Sequence, residues 1–88
     1  MDEIQLEKVL KALASKRRLL IIKILKKKKR SSVGKLSSDI KLSFRTTSKH
    51  LSVLYSVGIL DKEQVGYEMH YYIAKDLPKI VYFVLNLL

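Results

Sequence analysis

Cysteine is absent from the 88-residue chain, which excludes disulfides and thiolate metal sites outright. Long apolar runs are missing as well. Leu19 to Ile22 and Ile80 to Leu85 are the longest, far short of the roughly 20 residues needed to cross a bilayer. Nothing at the N-terminus reads as a signal peptide, so a soluble, cytoplasmic protein is expected. Histidine occurs only as His50 and His70, in different elements, too few to build the three- or four-donor shell of a transition metal. Neither a Ser-His-Asp grouping nor a phosphate-binding glycine loop can be assembled, and no enzyme activity and no cofactor are expected.

Acid is scarce where base is dense. Lys and Arg number 18 against 8 Asp and Glu, a net charge of +10. Between Lys16 and Arg30 stand nine cations and no acid, whereas the segments before Lys16 and after Gly58 are each slightly acidic. A cluster of this kind raises the local concentration of a polyanion and releases counterions on binding. For Lys26 to Arg30 a second reading stays open, in which the run complements the negative end of a helix dipole and remains solvated.

Helical periodicity organises most of the chain, and 88 residues make one domain, 1–88. Leu6, Val9, Leu10 and Leu13 mark a first helix over 4–14. Ser15 caps a second, from Lys16 to about Lys29, whose apolar residues are too numerous for one narrow stripe and place it at the centre of the fold. Ser32 caps a third helix, Val33 to Lys41, and Ser43 a fourth that stops at Gly58. Two strands follow, Ile59 to Val65 and Tyr67 to Ala74, folded about Gly66. Asp76 is the expected cap of a last helix that carries Pro78 in its first turn.

The third and fourth helices meet across a corner plugged by Leu42, which is the pattern of a helix-turn-helix. Thr47, Leu51 and Leu54 form the inward stripe of the fourth helix. Arg45, Lys49, Ser52 and Ser56 align on its opposite side, flanked by Thr46 and Ser48, without a carboxylate among them. Such a row suits a nucleic-acid groove. Arg45 can grip guanine O6 and N7 with two hydrogen bonds, while Lys49 acts as a point charge near phosphate. Ser43, Lys35 and Tyr67 complete the candidate set of DNA contacts. Thr47 is assigned to packing, His50 to a packed, hydrogen-bonded role at the edge of the stripe, and Tyr55, Tyr71 and Tyr72 to packing of the hairpin on the helices.

The last helix is apolar nearly all round. A chain this small cannot enclose it, so Leu77, Ile80, Val81, Val84, Leu85 and Leu88, with Leu6, Val9 and Leu10 of the first helix, are the expected homodimer interface. The alternative is a hydrophobic tail folded back across the protomer's own helices.

The run Leu10 to Leu25, then Ser48-Lys49-His50-Leu51 through Leu54 to Gly58-Ile59-Leu60, with Gly66 and Tyr71 beyond, resembles the winged helix-turn-helix repressors of the ArsR type. The resemblance implies a mainly α fold with a small β-hairpin wing and a dimeric DNA-binding regulator, most simply a repressor. It also implies a recognition helix over Ser43 to Val57, with dimer contacts from the first and last helices. Metal-sensing members carry Cys-x-Cys at the start of the third helix, where Ser32, Val33 and Gly34 stand here, and others use Asp and His on the last helix, which here has Asp76 and no histidine. Metal sensing is therefore not expected, and any effector is open. Glu68 at the wing tip opposes a phosphate contact, leaving Tyr67 as its candidate. A winged-helix module that binds protein within a transcription complex is the alternative to a DNA reader.

Overall fold

The computed structural model describes residues 1–88 as α1 (Glu3–Leu13), α2 (Lys16–Lys28), β1 (Arg30–Ser32), α3 (Val33–Ile40), α4 (Phe44–Ser56), β2 (Leu60–Val65), β3 (Glu68–Ile73) and α5 (Lys79–Leu87). Capping sets where four of the helices begin. Asp2 accepts from the Gln5 amide, Ser15 from Arg18, Ser32 from Lys35 and Ser43 from Thr46, at 2.8, 3.2, 3.1 and 3.0 Å. Each satisfies a backbone donor the helix cannot, contributing about 1 kcal/mol. The expected caps at Ser15, Ser32 and Ser43 are therefore present.

The α3–α4 corner is built by Lys41, which takes the left-handed conformation at φ 57°, while the Leu42 amide donates to the Ser37 carbonyl at 3.1 Å. Leu42 then packs on the core as expected. Gly58, at φ 80°, ends α4 and lets the Ile59 amide reach back to the Leu54 carbonyl at 3.0 Å.

Two expectations need correction. The sheet has three strands, not two, in the antiparallel order β1-β3-β2, with Ser31 opposite Tyr71 and Lys62 opposite Tyr71 on its other side. Strand β1 spans only three residues, too short to show a period, and its place at the edge is set by pairing to β3 rather than by its own pattern. Asp76 does not cap α5. Pro78 stands at the cap with an extended ψ of 139° and no side-chain bond, so the helix starts at Lys79, beyond the reach of Asp76.

One core unites the elements. Ile21, Ile22 and Leu25 of α2 meet Leu36 and Ile40 of α3, Leu51 and Leu54 of α4, Tyr71 of β3 and Val81 of α5, all buried. Thr47 is fully buried beside them and donates its hydroxyl to the Ser43 carbonyl at 2.8 Å, the packing role expected of it. No helix is long and apolar enough to cross a membrane.

Candidate nucleic-acid interface

Helix α4 turns its Thr47, Leu51 and Leu54 side into the core, and this fixes what points out. Arg45, Thr46, Lys49, Ser52 and Ser56 are all exposed, and Ser48 is half-buried at the flank. Neither Arg45 nor Lys49 enters any hydrogen bond or ion pair within the chain, so both heads are free to meet an external acceptor. Ser43 is differently placed. Its hydroxyl caps α4 and also donates to Thr46 Oγ1 at 3.0 Å, so the two side chains form one hydrogen-bonded pair at the helix start.

Lys35 lies on α3 and is exposed, 3.3 Å from Asp39. Asp39 also accepts from Lys28 Nζ at 2.8 Å, and that bond, with help from Lys35, holds its carboxyl below the usual range against the opposing cost of burial. At the wing, Tyr67 is fully exposed beside Gly66, the first of the two turn residues, whose φ of 62° glycine adopts without strain. The wing's basic groups are engaged elsewhere: Arg30 pairs with Glu63 at 3.1 Å and stacks over Tyr72, and Lys62 stacks over Tyr55 at 4.4 Å. Tyr71 is buried under the sheet, whereas Tyr55 stays largely exposed and joins α4 to the wing through that cation–π contact.

Behind α4 sits a contact no sequence period reveals. Arg18 donates through Nε to the Ala12 carbonyl at 2.6 Å, through Nη2 to Lys11 at 3.1 Å, and through Nη1 to His50 Nδ1 at 3.1 Å. One guanidinium thus ties the end of α1 to α4. Because Arg can only donate, Nδ1 must accept, and the imidazole is held neutral; burial first, then the charges of Arg18 and Arg17, push its pKa down. His50 has the packed, hydrogen-bonded role expected. Phe44 was not anticipated as a site residue: it opens α4 with 61% of its surface exposed and lines a small cleft with Tyr67, Glu68 and Val33.

The apolar end of the molecule differs from expectation in which side chains it offers. Val9 and Val81 are enclosed in the protomer's own core, and Leu77, Ile80, Val84, Leu85 and Leu88 are half-buried against it. Leu6 and Leu10 remain exposed on α1, joined by Ile4, while α5 exposes Tyr82, Phe83 and Leu87 instead. The two helices are neighbours here, since Leu6, Leu77 and Ile80 line one cavity of about 520 Å³. No three His, Cys, Asp or Glu side chains come together as a metal-binding group.

The pattern shared with known proteins decides the family. Residues 15–62, from the cap of α2 into the wing, match the model of the bacterial regulatory proteins of the arsR family. The chain belongs to the ArsR family. HlyU from Vibrio cholerae N16961, in its reduced form, superposes with a TM-score of 0.79 at 30% identity, over 96% of this chain and 84% of that one. A homodimeric winged helix-turn-helix DNA-binding domain, Mb0332 from Mycobacterium bovis, gives 0.79 at 29% identity, over 94% of this chain and 73% of that one. The transcriptional repressor PagR of Bacillus anthracis gives 0.76 at 29% identity, over 99% of this chain and 100% of that one. No curated protein sequence matches. This ArsR-family chain is a winged-helix DNA-binding transcriptional regulator and not an enzyme.

Proposed function

We propose that the protein is a homodimeric repressor that reads the major groove of duplex DNA with α4. The observation that carries this reading is the outward row Arg45, Lys49, Ser52 on α4, free of acids and with both cations unpaired. Arg45 is the base reader, Lys49 and Lys35 are phosphate contacts, and Thr46, Ser48 and Ser52 supply shorter hydrogen bonds. Ser43 positions the helix start. Phe44 adds an apolar surface suited to a thymine methyl group, and Tyr67 reaches from the wing.

A second copy covers the apolar end. Ile4, Leu6 and Leu10 on α1 and Tyr82, Phe83 and Leu87 on α5 are exposed apolar side chains, and a partner covering both helices would remove them from water. The homodimeric state of the Mycobacterium bovis relative and the repressor role of PagR support the same reading here. Cysteine is absent, so any effector acts without thiolate coordination.

Binding to duplexes of varied sequence across a salt series tests the assignment. Arg45→Ala is expected to cost roughly 1–3 kcal/mol and relax preference at one base position. Lys49→Ala should weaken all duplexes alike and lower the salt slope by about one. Equal, sequence-independent losses from both would remove Arg45 as a base reader.

A further inference from the structure

Most of the positive charge lies away from α4. Lys16, Lys23 and Lys27 are exposed on α2, none forms an ion pair, and none hydrogen-bonds within the chain. At about 100° per residue they fall on one stripe of the helix, with Leu20 between them. The other cations of the helix are engaged: Arg17 donates to the Ile40 carbonyl, Arg18 holds α1 and His50, Lys26 donates to the Leu85 carbonyl at 2.7 Å and Lys28 to Asp39.

These contacts also orient the stripe. Arg18 marks the side of α2 that faces α4, and Lys16, Lys23 and Lys27 stand roughly 140–180° round the helix from it. On α4, Arg45 and Ser52 stand roughly 140–160° and Lys49 about 100° round from His50, the residue that Arg18 touches, and all three lie opposite the buried Thr47, Leu51 and Leu54. The two basic faces therefore point away from each other across the shared core, and one straight duplex does not lie on both.

Resting on the reading of α4 as the DNA reader, we propose that the α2 stripe is a second, sequence-independent duplex-binding surface, so that one protein molecule can hold two DNA segments. Charge complementarity chooses the occupant. Lys23 and Lys27, four residues apart, repel each other along the helix, and no acid of the chain relieves either. Lys16 to Lys27 spans roughly 16 Å, along which a duplex presents about ten phosphate charges. A lipid surface fits less well, because the apolar side of α2 is already in the core and Leu20 alone could enter a bilayer.

The test tethers one duplex to beads, adds protein, and measures capture of a second, labelled duplex at low salt, using wild type, K16Q/K23Q/K27Q and R45A/K49A. Wild type is expected to capture the second duplex. The stripe variant should hold the tethered duplex to within about twofold of wild type yet lose capture by roughly tenfold or more, with the loss shrinking as salt rises. Undiminished capture by the stripe variant overturns the proposal, as does a wild type that holds the tethered duplex and captures nothing. Preferential binding of wild type to vesicles of anionic phospholipid, or to polyglutamate, over the second duplex also overturns it. An error in the α4 reading shows separately, as R45A/K49A binding the tethered duplex like wild type. Should the triple variant fail to fold by circular dichroism, Lys27→Gln must still lower capture and K16R/K23R/K27R must retain it.

Discussion

The side chains of Arg45 and Lys49 have nothing within the chain to hold. Arg18 is the contrast: three bonds make it part of the scaffold, and the one to Nδ1 gives His50 a role in stability. His50 has a lowered pKa in the folded chain, so on acidification the unfolded chain takes up a proton first. The stabilisation from the neutral imidazole is complete above about pH 6.5 and is lost as pH falls through the depressed folded value. Denaturant titrations are thus expected to show stability dropping as pH falls below about 6.5, with His50→Gln flattening that slope. A slope unchanged in His50→Gln would remove the imidazole from this account. At this scale, Thr47 and His50 were legible from spacing alone, because a helix period says which residues face in. Arg18 was not, since two of its acceptors are backbone carbonyls and the third is 32 residues away.

Helix starts were legible at Ser15, Ser32 and Ser43, where a serine makes the cap, though not at Asp2, whose cap starts α1 at Glu3, one residue before the start that apolar spacing marks. Boundaries were illegible where backbone decides, as with β1, which exists through its pairing to β3, and with α5, whose start Pro78 delays past Asp76. Gly66 is the simplest check on the wing. An added Cβ meets nothing within 4 Å, so Gly66→Ala carries only the conformational penalty of positive φ, roughly 1–2 kcal/mol in thermal unfolding, and Gly66→Asn less. Helix α5 shows why a nearly all-apolar element defeats periodicity: most of its sides satisfy the pattern, and only packing sorts Val81 inward and Phe83 outward. Phe83→Asp with Leu87→Asp should therefore leave the fold intact, since both are exposed, while sedimentation shifts from dimer to monomer. Retained dimers in that variant would place the interface elsewhere.

Across the whole molecule, charge and apolar surface are segregated. The exposed apolar side chains of α1 and α5, the outward face of α4 with Arg45 and Lys49, and the lysine stripe of α2 surround one core. In the proposed dimer, joining two copies through the apolar ends would carry two α4 helices, and a two-fold axis would make the preferred DNA a palindrome. Glu68 at the wing tip is consistent with the proposed reading, in which α4 rather than the wing carries most of the DNA contact. The family assignment was legible in the Ser48-Lys49-His50-Leu51 to Gly58-Ile59-Leu60 string, which lies wholly within the matched region 15–62. The exposed Phe44 was not, because an apolar residue one turn from Thr47 gives no sign of pointing outward.

Selection of bound sequences from random duplexes, run in parallel with wild type and Arg45→Ala, tests the central claim most directly. Wild type should enrich an inverted repeat with half-sites about one helical turn apart, and Arg45→Ala should lose preference at one symmetric pair of positions. Enrichment of no sequence, or of a motif that Arg45→Ala leaves unchanged, would contradict a pair of α4 helices reading the groove.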